Sequence, residues 1–159
     1  MARPVKIRRF KAEDLDAVLQ LFHDVVHSVG AKYYDQEQVN AWAPKERDDQ
    51  EKWLKSLLHN FSYVAEENGV IIGFGDMTQE GCIDRLFVHK NYQGAGAAQQ
   101  IFKKFEEDAK ALGLKELFGE ASIMLKPLAE RQGFEVVEEQ RKEHRGVLFT
   151  NYKMRKKLS

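Results

Sequence analysis

One run of this chain has residue types and spacing suited to chemistry: Leu86-Phe87-Val88-His89-Lys90-Asn91-Tyr92-Gln93-Gly94-Ala95-Gly96-Ala97-Ala98. An apolar, strand-like segment ends in a short polar turn, and small residues then open a long helix-forming stretch. The first N–H groups of a helix lack partners within it and carry the positive end of its dipole, about half a charge. Gly94 and Gly96 interpose no Cβ and reach backbone conformations closed to other residues. An anion can then rest on the backbone itself, so the amides from Gln93 through Gly94, Ala95, Gly96 and Ala97 to Ala98 form a candidate phosphate cradle. A dinucleotide fingerprint is a poor match, because its third glycine would fall on Gln99 and the repeated βαβ units are missing. A nucleoside-triphosphate loop needs Gly-Lys followed by Ser or Thr, and that is missing too. A glycine-rich turn that only lets a helix pack close to a sheet stays open beside these.

The elements that must position the run follow from periodicity. Val5 to Phe10 reads as a short strand. Over residues 13–29, Leu15, Val18, Leu19, Phe22, Val25, Val26 and Val29 recur at three and four, which predicts a helix that Gly30 ends. Asp35 and Gln38 look like a cap and its partner, opening a short helix through Trp42 that Pro44 stops. Asp48 or Asp49 caps the next helix, with Trp53, Leu54, Leu57 and Leu58. Phe61–Glu66 and Val70–Thr78 are strands joined at Glu67-Asn68-Gly69. Gly73 and Gly75 point to a bulge or a close approach. Cys82–Val88 is a strand, 96–112 a helix, Leu117–Ser122 a strand, and Pro127–Gln132 a short helix. Phe134–Glu139 and Val147–Met154 close as an antiparallel pair. The fold class is therefore mixed α/β around one central sheet, with the 82–122 unit as a parallel crossover, and residues 1–159 form one domain.

Composition narrows the function. The 25 basic and 25 acidic side chains cancel, which argues against a nucleic-acid binder. The basic cluster Lys153, Arg155, Lys156 and Lys157 reads as a solvated tail. A lone cysteine, Cys82, allows no intrachain disulfide and fits a reducing compartment. The opening Met-Ala-Arg-Pro-Val-Lys-Ile-Arg-Arg-Phe has no apolar core of a secretory signal, and no apolar run approaches the roughly 20 residues that span a bilayer. A cytoplasmic location follows, with neither membrane nor nucleic acid as partner. There is no tight Cys/His cluster and no His-Glu-x-x-His helix, so no metal is expected.

Gln93, Gly96 and Ala98 also fill the pattern Gln/Arg-x-x-Gly-x-Gly/Ala. Phe10 to Asp14 supplies a charged strand followed by Glu-Asp-Leu, and Leu128-Ala129-Glu130-Arg131-Gln132-Gly133-Phe134 a short helix ending in Gly-Phe. In these motifs, and in the order of elements over almost the whole chain, the sequence resembles the GNAT (Gcn5-related N-acetyltransferase) superfamily. Asp84 to Lys90, Glu120-Ala121-Ser122 and the Tyr34 to Trp42 segment resemble its YafP-like subgroup of small bacterial members.

The resemblance implies a mostly antiparallel sheet splayed at a parallel strand pair, with helices on both faces. It implies transfer of an acetyl group from acetyl-CoA to a primary amine, here of a small molecule, by direct attack. A protein lysine or N-terminal acetyltransferase and a non-catalytic acyl-CoA-binding module are the alternatives. Leu86, Phe87 and Val88 would line the pantetheine arm, and Val88 would polarise the thioester carbonyl. The backbone from Gln93 to Ala98 would hold the pyrophosphate. Ser122 stands where many members carry Asn beside the cofactor. Asp84 is the first candidate base and Glu120 the second; an ion pair is the alternative for each. By strand alternation Asp84 shares a face with Leu86 and Val88. Tyr33, Tyr34 and Trp42 would form the acceptor wall, or simply pack the helices. One departure stands out: Ala129 occupies the usual position of a proton-donating Tyr. The expected partners are acetyl-CoA and an amine, with a homodimer allowed.

Overall fold

The computed structural model describes residues 5–46, 49–92 and 96–158. The chain runs β1 (Lys6–Arg9), α1 (Leu15–Ser28), α2 (Gln36–Trp42), α3 (Gln50–His59), β2 (Phe61–Glu67), β3 (Val70–Met77) and β4 (Cys82–Val88). It continues as α4 (Ala97–Ala111), β5 (Glu116–Ser122), α5 (Lys126–Arg131), β6 (Glu135–His144) and β7 (Val147–Lys157). The seven strands form one sheet in the order β1-β2-β3-β4-β5-β7-β6. Every neighbouring pair is antiparallel except β4 and β5, which are parallel.

Local chemistry accounts for the boundaries. The Asp35 carboxylate accepts from the Gln38 amide at 2.8 Å, and the Gln38 side chain accepts from the Asp35 amide at 2.9 Å. This reciprocal cap starts α2 at the predicted place. Asp49 caps α3 by accepting from the Lys52 amide. Asn68 and Gly69, both at positive φ, make the tight β2–β3 turn.

Two cores sit on opposite faces of the sheet. α4 buries Ile101, Phe102, Phe105 and Ala109 against Ile72, Met77, Leu86 and Leu117. α1, α2 and α3 cover the other face with Val18, Val25, Val39 and Leu57 over Val64, Phe74 and Phe87. Each such side chain contributes about 1.5–3 kcal/mol when fully buried. The result is a single α/β domain with helices on both faces, as expected.

Three expectations need correction. Gly30 does not end α1 in a left-handed cap: the helix stops at Ser28, and a 3-10 turn, Gly30–Lys32, carries the chain on. The basic cluster 153–157 is no tail. It lies in β7, where Lys153 pairs with Glu138, Arg155 with Glu135 and Lys156 with Glu106. The third correction concerns Asp84. Opposite β3, Asp76 pairs with Arg85 and Met77 with Ile83, so Asp84 is an extra residue in β4. That bulge breaks the two-residue alternation. Ile83, Leu86 and Val88 face the α4 core. Asp84 falls instead on the opposite face with Arg85, whose guanidinium meets Ser56 and Trp53 of α3.

Candidate active site

The parallel strands β4 and β5 are joined at two positions only, Cys82 with Phe118 and Ile83 with Gly119. Beyond them β5 continues beside β7, pairing Glu120 with Lys153, Ala121 with Tyr152 and Ser122 with Asn151. β4 continues beside β3. A gap therefore opens between Asp84–Val88 and Glu120–Ser122. Gly119 is what allows the last rung, since a Cβ there would lie 2.7 Å from the Ile83 carbonyl oxygen. On β4, the His89 amide donates to Ile72 of β3. By the alternation of an antiparallel ladder, the backbone groups of Leu86 and Val88 are directed away from β3, towards the gap.

At the far end of β4, α4 begins after Gly96, which sits at φ +87° as its N-cap. That conformation favours glycine, and among the described residues beyond its chain neighbours the atom nearest a notional Cβ is the Gln100 side-chain Nε2, 3.9 Å away. The amides that follow, from Ala97 and Ala98, lie at a helix start. Gln93, Gly94 and Ala95 of the predicted cradle lie outside the described residues. An extended arm along Leu86–Val88 with an anionic group at the start of α4 fits this geometry.

On the other face of the sheet a cavity of about 500 Å³ reaches the same gap, lined by Asp84–Phe87 of β4 and by Glu120 and Ser122 of β5. Tyr34 and Trp42 line it; Tyr33 does not, and is exposed. The Tyr34 hydroxyl accepts from the Ile123 amide at 2.9 Å, tying the turn before α2 to the end of β5. Burial pushes that hydroxyl's pKa up. Ser122 uses its hydroxyl to accept from the Leu125 amide at 3.1 Å.

The two candidate bases differ in their surroundings. Asp84 has half its side chain exposed and its nearest cation, Arg85, at 3.8 Å. Glu120 holds Lys142 at 2.5 and 2.7 Å. Burial raises the Glu120 carboxyl, but hydrogen bonds from Lys142 and Gln140 and the charges of Lys142 and Lys153 together outweigh it, and the net pKa lies below the usual carboxylate range. A lowered pKa makes Glu120 a poorer proton acceptor than an ordinary glutamate.

The bulge is pinned from behind. Arg85 donates to Asp76 at 2.7 Å and to Ser56 at 2.8 Å, with its guanidinium 4.4 Å from the Trp53 ring centre. Asp76 is fully buried, takes a further bond from Asn60 at 2.9 Å, and has an ordinary carboxyl pKa pushed up by burial to about 6. Cys82 at the base of β4 has its thiol pKa raised, burial being the largest cause, so little thiolate forms there. Ala129 is buried and offers no proton.

Sequence reasoning did not find Phe22, Trp53, Arg85 or Phe149 as cavity residues. Each comes from a different element, and no local spacing links them. His144 at the end of β6, Arg145 of the β6–β7 turn and His23 of α1 also line the cavity. Among the described residues no cluster of three or more His, Cys, Asp or Glu could hold a metal ion, and no helix is long and apolar enough to cross a membrane.

Comparison with known proteins agrees with this geometry. The family model for the acetyltransferase (GNAT) domain matches residues 31–156. The N-acetyltransferase YafP of Escherichia coli strain K12 is 33% identical over 153 residues, covering 96% of both chains. A crystal structure of a GCN5-related N-acetyltransferase from Rhodopseudomonas palustris superposes with a TM-score of 0.93 at 25% identity, covering 99% of this chain and 98% of that one. The PaiA N-acetyltransferase of Thermoplasma acidophilum, solved in complex with coenzyme A, shares the fold with a TM-score of 0.80 at 18% identity, covering 98% and 99%.

Proposed function

This chain belongs to the GNAT family of N-acetyltransferases, and from that premise we propose that it moves an acetyl group from acetyl-CoA onto the primary amine of a small molecule. The observation that carries the proposal is the parting of β4 and β5 after Ile83 and Gly119, with a helix start at one end of the gap and a cavity on its far face. The backbone of Leu86, Phe87 and Val88 would pair with the pantetheine arm, and the amides between Gln93 and Ala98 would hold the pyrophosphate. Ser122 would border the arm from the β5 side.

The acceptor amine would enter from the cavity. A lysine-like ammonium has a pKa of about 10.4, so it must lose a proton before it can attack. Asp84 would take that proton; the support for this is the bulge, which brings Asp84 to the cavity wall. Direct attack leaves the protein two tasks: aligning amine with thioester, and polarising the carbonyl with a backbone N–H, for which Val88 is the natural donor. With Ala129 at the family's acid position, departure of the thiolate rests on its own low basicity, a free thiol having a pKa of about 8.5. A cytoplasmic setting suits acetyl-CoA as the donor.

The test is thiol release from acetyl-CoA over a panel of primary amines, with the product checked by mass spectrometry for one added acetyl group. Saturable release with a small amine is the expected result. Acetyl-CoA binding without release for any amine would make the chain a binding module instead.

A further inference from the structure

The cavity that reaches the β4–β5 gap has walls that distinguish between kinds of amine. Six of its residues are aromatic: Phe22 of α1, Tyr34, Trp42 of α2, Trp53 of α3, Phe87 of β4 and Phe149 of β7. They form one connected set. Phe22 lies 5.0 Å from Trp53 and 5.1 Å from Phe87 between ring centres; Trp42 lies 5.4 Å from Tyr34 and 5.8 Å from Phe87; Phe149 lies 5.8 Å from Tyr34. Most of these contacts are edge-on or tilted, the arrangement in which rings attract one another beyond their buried area. A flat aromatic guest extends such a set.

Charge points the same way. The cavity's acids are Asp84, Glu120 and Glu143, and its permanent cations are Arg85, Lys142 and Arg145. Three against three leaves no excess to draw in a polyamine or another polycation. Glu120 is already held by Lys142, and the Trp53 ring already carries the Arg85 guanidinium on its face. A second organic cation there would meet Arg85. The volume of about 500 Å³ lies within the range of small-molecule sites.

We infer that the acceptor is a small monoamine with an aromatic body, its ring seated among Phe22, Trp42 and Phe149 and its amine directed to Asp84. This rests on the proposed function only in taking the cavity as the acceptor side. Its test can be read without any transfer, because the chain's two tryptophans, Trp42 and Trp53, both stand in the cavity wall.

With coenzyme A present, 2-phenylethylamine, spermidine and an alanine-initiated tetrapeptide are titrated against intrinsic tryptophan fluorescence, each repeated by calorimetry. The expected result is a saturable response to 2-phenylethylamine at least tenfold tighter than to either rival. Phe149→Leu keeps apolar volume and both tryptophans but removes one ring; it should weaken phenylethylamine binding about threefold to tenfold with coenzyme A affinity unchanged. Spermidine or the tetrapeptide binding as tightly, no saturable response to phenylethylamine, or an unaffected Phe149→Leu would each overturn the inference. Phenylethylamine that binds but is never acetylated, with every other amine equally inert, would support the site assignment and count against the proposed reaction alone.

Discussion

Replacing Gly119 with alanine tests how the gap is made. The glycine stands on β5 at the second and last rung that joins the parallel strands. A Cβ there would lie 2.7 Å from the Ile83 carbonyl oxygen, about 0.7 Å inside the 3.4 Å at which ordinary contact begins. The clash is with backbone, so no rotamer change relieves it, and β4 or β5 must shift. Overpacking of this kind costs about 1–3 kcal/mol. For a chain of this size, at about 2–4 °C per kcal/mol, the melting temperature should fall by about 2–12 °C. Moving the rung also moves the backbone of Leu86 and Val88 relative to Ser122. Acetyl-CoA affinity, measured by calorimetry well below the melting transition, should therefore fall about tenfold for each 1.4 kcal/mol of fit lost. A Gly119→Ala protein with parental melting temperature and parental acetyl-CoA affinity would refute the idea that this contact sets the gap.

Three further outcomes follow from the same structure. Gly96→Val should lose at least tenfold in acetyl-CoA affinity while remaining folded by circular dichroism, because a β-branched residue resists φ +87° and a side chain intrudes where the anion would rest; unchanged affinity would remove the helix start from the cofactor site. Asp84→Asn should cut kcat/KM by about 10²–10⁴, most at low pH where an unassisted ammonium rarely loses its proton, and a pH–rate profile identical to the parent's would remove Asp84 as base. Asp76 gives a prediction about stability. Its pKa rises from an ordinary 3.8 to about 6 on folding, so the folded state holds the proton more tightly and this group's contribution falls as pH climbs through that window. Asp76→Asn lacks the titration, so its stability relative to the parent should rise between pH 4 and pH 7 by an amount of order 3 kcal/mol; urea melts with a constant difference at both pH values would contradict this.

Much of the fold could be read in the residues. The reciprocal cap of Asp35 and Gln38 and the Asn68-Gly69 turn are local chemistry, written within four residues. The α4 stripe repeats often enough to declare its own face. The extra residue at Asp84 left no such mark. A bulge is a mismatch between two strands, and the alternation of one strand alone cannot register it. Its support, the Asp76–Arg85–Ser56 cluster, joins β3, β4 and α3. The basic run 153–157 misled for a related reason: its charges look like a tail until β6 and α4 bring Glu138, Glu135 and Glu106 alongside. At the site, Tyr34 and Trp42 were legible because they bound the short α2 segment through which the chain resembles the YafP-like subgroup. Phe22, Trp53 and Phe149 were not, because only the folded sheet brings α1, α3 and β7 together.

A crystal structure with coenzyme A bound would decide the matter. The pantetheine arm should run between β4 and β5, paired with the backbone of Leu86 and Val88, with the pyrophosphate on the amides that open α4 and the sulfur facing the aromatic cavity. Coenzyme A bound elsewhere on the molecule, or β4 and β5 zipped together past Gly119 with the ligand outside, would contradict the reading.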